Sequence, residues 1–202
     1  MHQRIFGGFL LLLLKIKHMK EKIISPLKTT GLVFLMTIAS FFVVGLFSAL
    51  FGDATGKMVM MVPLISGFVH AGFDHLLLNL IMLFLLLLPE VNRRYDVNRI
   101  FWLTALISTV YLPLAILGLC PPAVGISGTA YFLMSRFFWS RTSYATLAKC
   151  TLGLLIVGEL GAMSEGDDVA HLVHFIGAAL GVISLREGLL ERITPNWVYS
   201  RI

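Results

Sequence analysis

The chain has 202 residues, which is one domain's worth of length, but 57% are hydrophobic, 13% are charged and the mean hydropathy is +0.88. A water-soluble domain carries about 25% charged residues, so a soluble globule and a disordered chain are both excluded. The pI of about 9.4 and net charge of +5 bring nucleic acid to mind, yet the charges are too few and too widely spread for that; their distribution is that of a membrane protein.

In chain order, six apolar stretches approach the roughly 20 residues needed to cross a bilayer. They are Thr30–Phe51, His75–Leu88, Ile100–Leu119, Ile126–Trp139, Ala145–Met163 and Val169–Leu185. The second and fourth are short, and are expected to extend into polar flanks or to sink behind other helices. Turn or charge signals bound the stretches: Gly52-Asp53, Pro89-Glu90, Pro121-Pro122, Arg141 and Ser164-Glu165-Gly166-Asp167. The run Ile5–Leu14 is too short to cross. Lys15-Ile16-Lys17 stands where a signal peptide would carry small cleavage-site residues. Met19 heads a conventional-looking start, so the first 18 residues read as an upstream extension or an interfacial segment. The expected organisation is a cytoplasmic segment over 1–29, a six-helix membrane domain over 30–185 and a cytoplasmic tail over 186–202.

Six spans sort the charges. Of the 16 Lys and Arg residues, all but Lys57 fall on one side, the pattern of loops retained in the cytoplasm. Both termini are therefore expected there, in a plasma (inner) membrane. Cys120 and Cys150, the only cysteines, fall on opposite sides and should not pair; they supply neither a disulfide scaffold nor a cysteine zinc site.

Polar residues inside a membrane are costly and mark function by default. The outer half of this bundle gathers His70, His75, Asn79, Ser127, Tyr131, Glu159, His171 and His174. His75 and Asn79 are four apart, hence on one helix face; structural hydrogen bonding between helices is the alternative. Ser127, in Gly125-Ile-Ser127-Gly128, opens a helix where free N–H groups could meet an oxyanion. Tyr131 lies one turn on. Tight packing is the plainer explanation of that motif taken alone. His174 precedes the small-residue pair Gly177 and Gly181, which permits close helix approach. His171 is offset and reads as structural or as a rim residue.

Together these residues resemble the rhomboid family of intramembrane serine proteases over about Pro63 to Leu185. The resemblance rests on His-x4-His-x3-Asn in span two, Gly-x-Ser-Gly heading span four and His-x2-Gly-x3-Gly in span six. It implies an all-α, six-transmembrane-helix bundle with a Ser–His dyad and no acidic third member. Ser127 would be the nucleophile and His174 the base; His75, Asn79 and the Ser127 N–H would bind the oxyanion. Tyr131 would pack on His174, His70 would brace the loop entering span two, and Gly125, Gly128, Gly177 and Gly181 would set the backbone and helix proximity. The implied partners are transmembrane protein substrates within the lipid bilayer, with no nucleic acid, metal or cofactor and no particular oligomeric state. The chain departs from the family at Lys57–Val62, which lacks the Trp-Arg pair many members carry, and at Leu85–Leu88, which replaces a glycine-rich end to span two. Two other functions compete: an inactive rhomboid-like protein that binds and escorts membrane segments, and a metal transporter using His70, His75, His171 and His174.

Overall fold

In a computed structural model the described residues are 2–53, 58, 62–70, 72–92, 94–119, 125–139, 145–165, 171–185 and 195; for 2–19 and some positions within the helices only the backbone is described. They form helices α1 (His2–Phe51), α2 (Pro63–Ser66), α3 (Phe73–Leu87), α4 (Val97–Ile116), α5 (Ser127–Trp139), α6 (Ala145–Glu165) and α7 (His171–Ile183), with a 3₁₀ turn at Glu90–Asn92. The six helices longer than α2 occupy the six stretches read as spans. By length and composition alone two are able to cross a membrane, Lys22–Phe51 within α1 and all of α4, while α3 and α7 are shorter apolar helices.

The first span has no helix boundary at residue 30. Helix α1 runs unbroken for 50 residues through the basic segment, because lysine, leucine and isoleucine keep a helix going and charge alone does not end one. Pro26 sits inside it; its missing N–H leaves one carbonyl a turn earlier without a helical donor. Helix α4 has cleaner limits. The Asp96 carboxylate caps its start by accepting from the Arg99 N–H at 3.1 Å. Gly118, at φ +68°, ends it with the Leu119 N–H on the Leu114 carbonyl, a closure that needs a left-handed residue.

Helix α5 is the hub. Its most extensive contact is with α7, and it also packs on α3, α4 and α6, while α1 lies outside against α3 and α4. At 13 residues it is about 20 Å long, short of the ~30 Å hydrocarbon core. The shortfall is tolerated because Ser127–Ala130 and Phe132–Arg136 are buried by surrounding protein rather than lipid. Phe132 and Leu133 at its centre are fully buried with Leu83, Ile100 and Ile107. The outer helices are inverted relative to a soluble protein: Phe42, Phe73 and Leu154 are 75%, 71% and 73% exposed. Aromatic and aliphatic surface on that scale requires an apolar surrounding.

The α5–α7 contact is made backbone to backbone. A Cβ on Gly177 would overlap the Gly128 carbonyl, and one on Gly181 would overlap Ser135 and the Phe132 carbonyl. A Cβ on Gly128 would stand 3.0 Å from Ile107 and 3.1 Å from Val173. These glycines let α7 approach α5 more closely than any side chain would permit.

Candidate functional site

Close approach of α7 brings residue 174 to the first turn of α5. The Nε2 of His174 and the Oγ of Ser127 lie 2.8 Å apart, within hydrogen-bonding distance. Both residues are buried, at 8% and 9% exposure. The Tyr131 ring, one turn along α5, lies flat on the His174 imidazole with centroids 4.4 Å apart and an interplanar angle of 3°. His171 stands perpendicular to the same imidazole at 6.2 Å and is 6% exposed. It is thus a direct neighbour of His174 and no rim residue.

The chain enters Ser127 through Gly125, whose φ of +101° is open to glycine and strained for other residues. Its N–H donates to the Ser66 carbonyl at 2.9 Å, tying the start of α5 to the last residue of α2. A Cβ at Gly125 would meet the rings of His75 at 3.2 Å and His70 at 3.3 Å. The two rings are themselves 5.2 Å apart, edge to face. His70 is held by its Nδ1 on the Phe68 carbonyl at 3.2 Å. Burial pushes this loop histidine down from 6.5 to about 4; the Phe68 carbonyl opposes that shift and the neighbouring His75 adds to it.

Two buried polar atoms of the predicted site residues have no hydrogen-bond partner among the described residues: the Nδ2 donor of Asn79 and the Nε2 of His70, an acceptor because Nδ1–H is spent on the Phe68 carbonyl. Asn79 is buried on α3, four residues beyond His75 and therefore on its face. A buried amide donor left unsatisfied costs about 1–3 kcal/mol, so its retention calls for a reason.

Other polar residues lay outside the sequence reading. Arg136, counted there among the loop charges, is 4% exposed on α5. Its Nη1 donates to the Ser184 carbonyl at 3.1 Å and to the Ser184 hydroxyl, and its guanidinium lies over the Tyr95 ring at 5.2 Å. Asn92 is fully buried and its Nδ2 donates to the Leu86 and Leu133 carbonyls at 2.9 and 2.8 Å. An arginine inside an apolar helix was the available signal. Thr104 and Thr129 share a 2.8 Å hydrogen bond that joins α4 to α5.

Among the described residues, no three His, Cys, Asp or Glu side chains come together as metal ligands. Cys150 is free and exposed; Cys120, Lys57 and the Glu159 side chain lie outside the described residues, as does most of the stretch that lacks the Trp-Arg pair.

A helical bundle with outward apolar faces and a serine–histidine pair at its central helix crossing defines a polytopic membrane protein. Among family models, that of the Rhomboid domain matches residues 56–186, well over half of the 202 residues. The chain belongs to the rhomboid family and is an integral membrane protein. No curated protein and no solved structure matches it. The family consists mostly of intramembrane serine proteases acting on transmembrane substrates, and it includes inactive members.

Proposed function

We propose that the protein is an intramembrane serine endopeptidase that cleaves transmembrane segments of other proteins with a Ser127–His174 dyad. The observation that carries this reading is the 2.8 Å separation of Ser127 Oγ and His174 Nε2. With Nε2 unprotonated, the Ser127 hydroxyl donates to it, and attack of Oγ on a peptide carbonyl passes the proton to His174. The tetrahedral oxyanion would receive the Ser127 N–H, the His75 ring and the otherwise idle Asn79 amide. Collapse breaks the peptide C–N bond, leaves an acyl group on Ser127 and returns the proton from His174 to the departing amine. Water then attacks the acyl-enzyme by the same route and frees Ser127.

A triad uses its acid to hold the imidazole in orientation. Here Tyr131 stacked on one face and His171 at the edge restrict the ring instead. The substrate helix has to unwind locally, since helical carbonyls are engaged in hydrogen bonds. An intact serine and histidine within hydrogen-bonding distance weigh against the escort reading, and the lack of a three-ligand cluster among the described residues gives the metal reading no support.

The test is cleavage of a reporter transmembrane substrate in vesicles. Ser127→Ala and His174→Ala should each lower the rate by about 10⁴-fold or more while melting as the wild type does. Undiminished cleavage by either variant would remove the dyad.

A further inference from the structure

Where the N-terminal ends of α4 and of the α1 span meet, Ser25, Lys28, Thr29, Leu32, Asp96 and Asn98 line a cavity of about 230 Å³. Two features set it apart from an ordinary wet cleft. Lys28 and Asp96 border the same space and, among the described residues, form no ion pair with each other, so a cationic and an anionic group both line it. Thr29 is only 4% exposed, yet its hydroxyl makes no hydrogen bond among the described residues. Thr37, Thr104 and Thr109, also on helices, each donate to the carbonyl one turn back. A hydroxyl on a residue this buried that forgoes that bond and borders a cavity is available to a ligand.

We infer that this cavity binds the phosphoethanolamine headgroup of a membrane phospholipid. A single ligand that satisfies Lys28 and Asp96 together carries both charges. The phosphate would accept from the Lys28 ammonium, the Thr29 and Ser25 hydroxyls and the first N–H groups of α4, the end of a helix that favours anions. The Asp96 carboxylate spends one hydrogen bond on the Arg99 N–H and can accept another from a primary ammonium. A trimethylammonium has no N–H to offer, and a glycerol headgroup brings no positive charge to Asp96. A lipid is favoured over a free zwitterion by position. The cavity lies at the ends of the two membrane-length helices, and Leu32 at its wall leads to Leu35, 58% exposed along α1, where an acyl chain would run.

The test uses the full chain in mild detergent, incubated with equal amounts of phosphatidylethanolamine, phosphatidylcholine and phosphatidylglycerol of identical acyl chains. Retained lipid is counted by native mass spectrometry. Phosphatidylethanolamine should be retained about tenfold over either competitor, the equivalent of one charge-assisted hydrogen bond. Asp96→Asn keeps a helix cap but should reduce that lipid to the level of phosphatidylcholine. Lys28→Gln, at an exposed side chain, should lower retention of all three. Equal retention of the three by the wild type would overturn the inference, and so would an ethanolamine preference that survives Asp96→Asn. Displacement of the lipid by millimolar soluble phosphoethanolamine would overturn its assignment to a lipid. None of these readouts depends on Ser127 or His174.

Discussion

Helix α5 carries buried polar groups at both of its ends and uses them in opposite ways. At its last turn, Ser135 donates to the Phe132 and Ala178 carbonyls, Arg136 donates to Ser184, and Asn92 bridges the Leu86 and Leu133 carbonyls. Those donors are spent on backbone, and they pin α7 and the 3₁₀ turn to the hub. At the first turn, Ser127 faces His174 through side chains alone, and the Nδ2 donor of nearby Asn79 goes unused. Between the two ends lies one continuous glycine contact. A buried donor committed to a carbonyl contributes rigidity, and an idle donor beside a reactive pair can serve a group that arrives. The last-turn end, with its hydroxyl and amide donors spent on backbone even though the Asn92 Oδ1 has no partner, acts as the fixture, and the first-turn end as the reaction site.

Substitutions that separate these roles test the comparison. Gly177→Val, which sets a side chain against the Gly128 carbonyl, should damage both ends at once. Cleavage is expected to vanish and the melting temperature to fall, since overpacking against backbone costs about 1–3 kcal/mol or more. A Gly177→Val protein that cleaves at the wild-type rate would mean the close crossing is dispensable. Asn79→Ala should lower the cleavage rate about 10²–10³-fold with little change in melting, because the lost amide has no partner in the resting protein. A purely thermal defect would place Asn79 with the fixture.

Ser184→Ala should do the reverse, costing about 1–3 kcal/mol of stability while the folded protein keeps its rate per molecule. The smallest expected effect concerns His70. Its folded pKa of about 4 lies below the ordinary 6.5, so the unfolded chain takes up a proton first as the pH drops. The stability that depends on neutral His70 is complete above about 6.5 and is lost progressively toward 4. Thermal melts over that range should show a steeper loss for the wild type than for His70→Gln, and identical slopes would remove His70 from the acid response.

Much of the first-turn end was legible in the sequence. Ser127, His174, His75 and Asn79 sit in short motifs whose helical spacing decides which side chains share a face, and Gly177 and Gly181 announce a close crossing by having no side chain. The helices were legible for the same reason: apolar runs are local. The last-turn end was not, because Asn92, Arg136 and Ser184 come from three separate segments with no motif, and a single arginine near a span end looks like any loop charge until packing buries it. The ties of Gly125 to Ser66 and of Thr104 to Thr129 were hidden likewise, since each partner is a common residue far off in the chain. The first helix runs on past the start of its apolar stretch for another reason. A change from apolar to basic residues marks where a membrane begins without marking where a helix stops.

The central claim is that His174 activates Ser127 across the α5–α7 crossing. The most direct measurement is labelling of the purified full chain with a fluorophosphonate, a reagent that captures an activated serine, followed by mapping of the modified peptide. Labelling should fall on Ser127, be absent in Ser127→Ala and be lost in His174→Ala even though that variant retains the serine. Labelling of another serine, or undiminished labelling of Ser127 without the imidazole, would contradict the account.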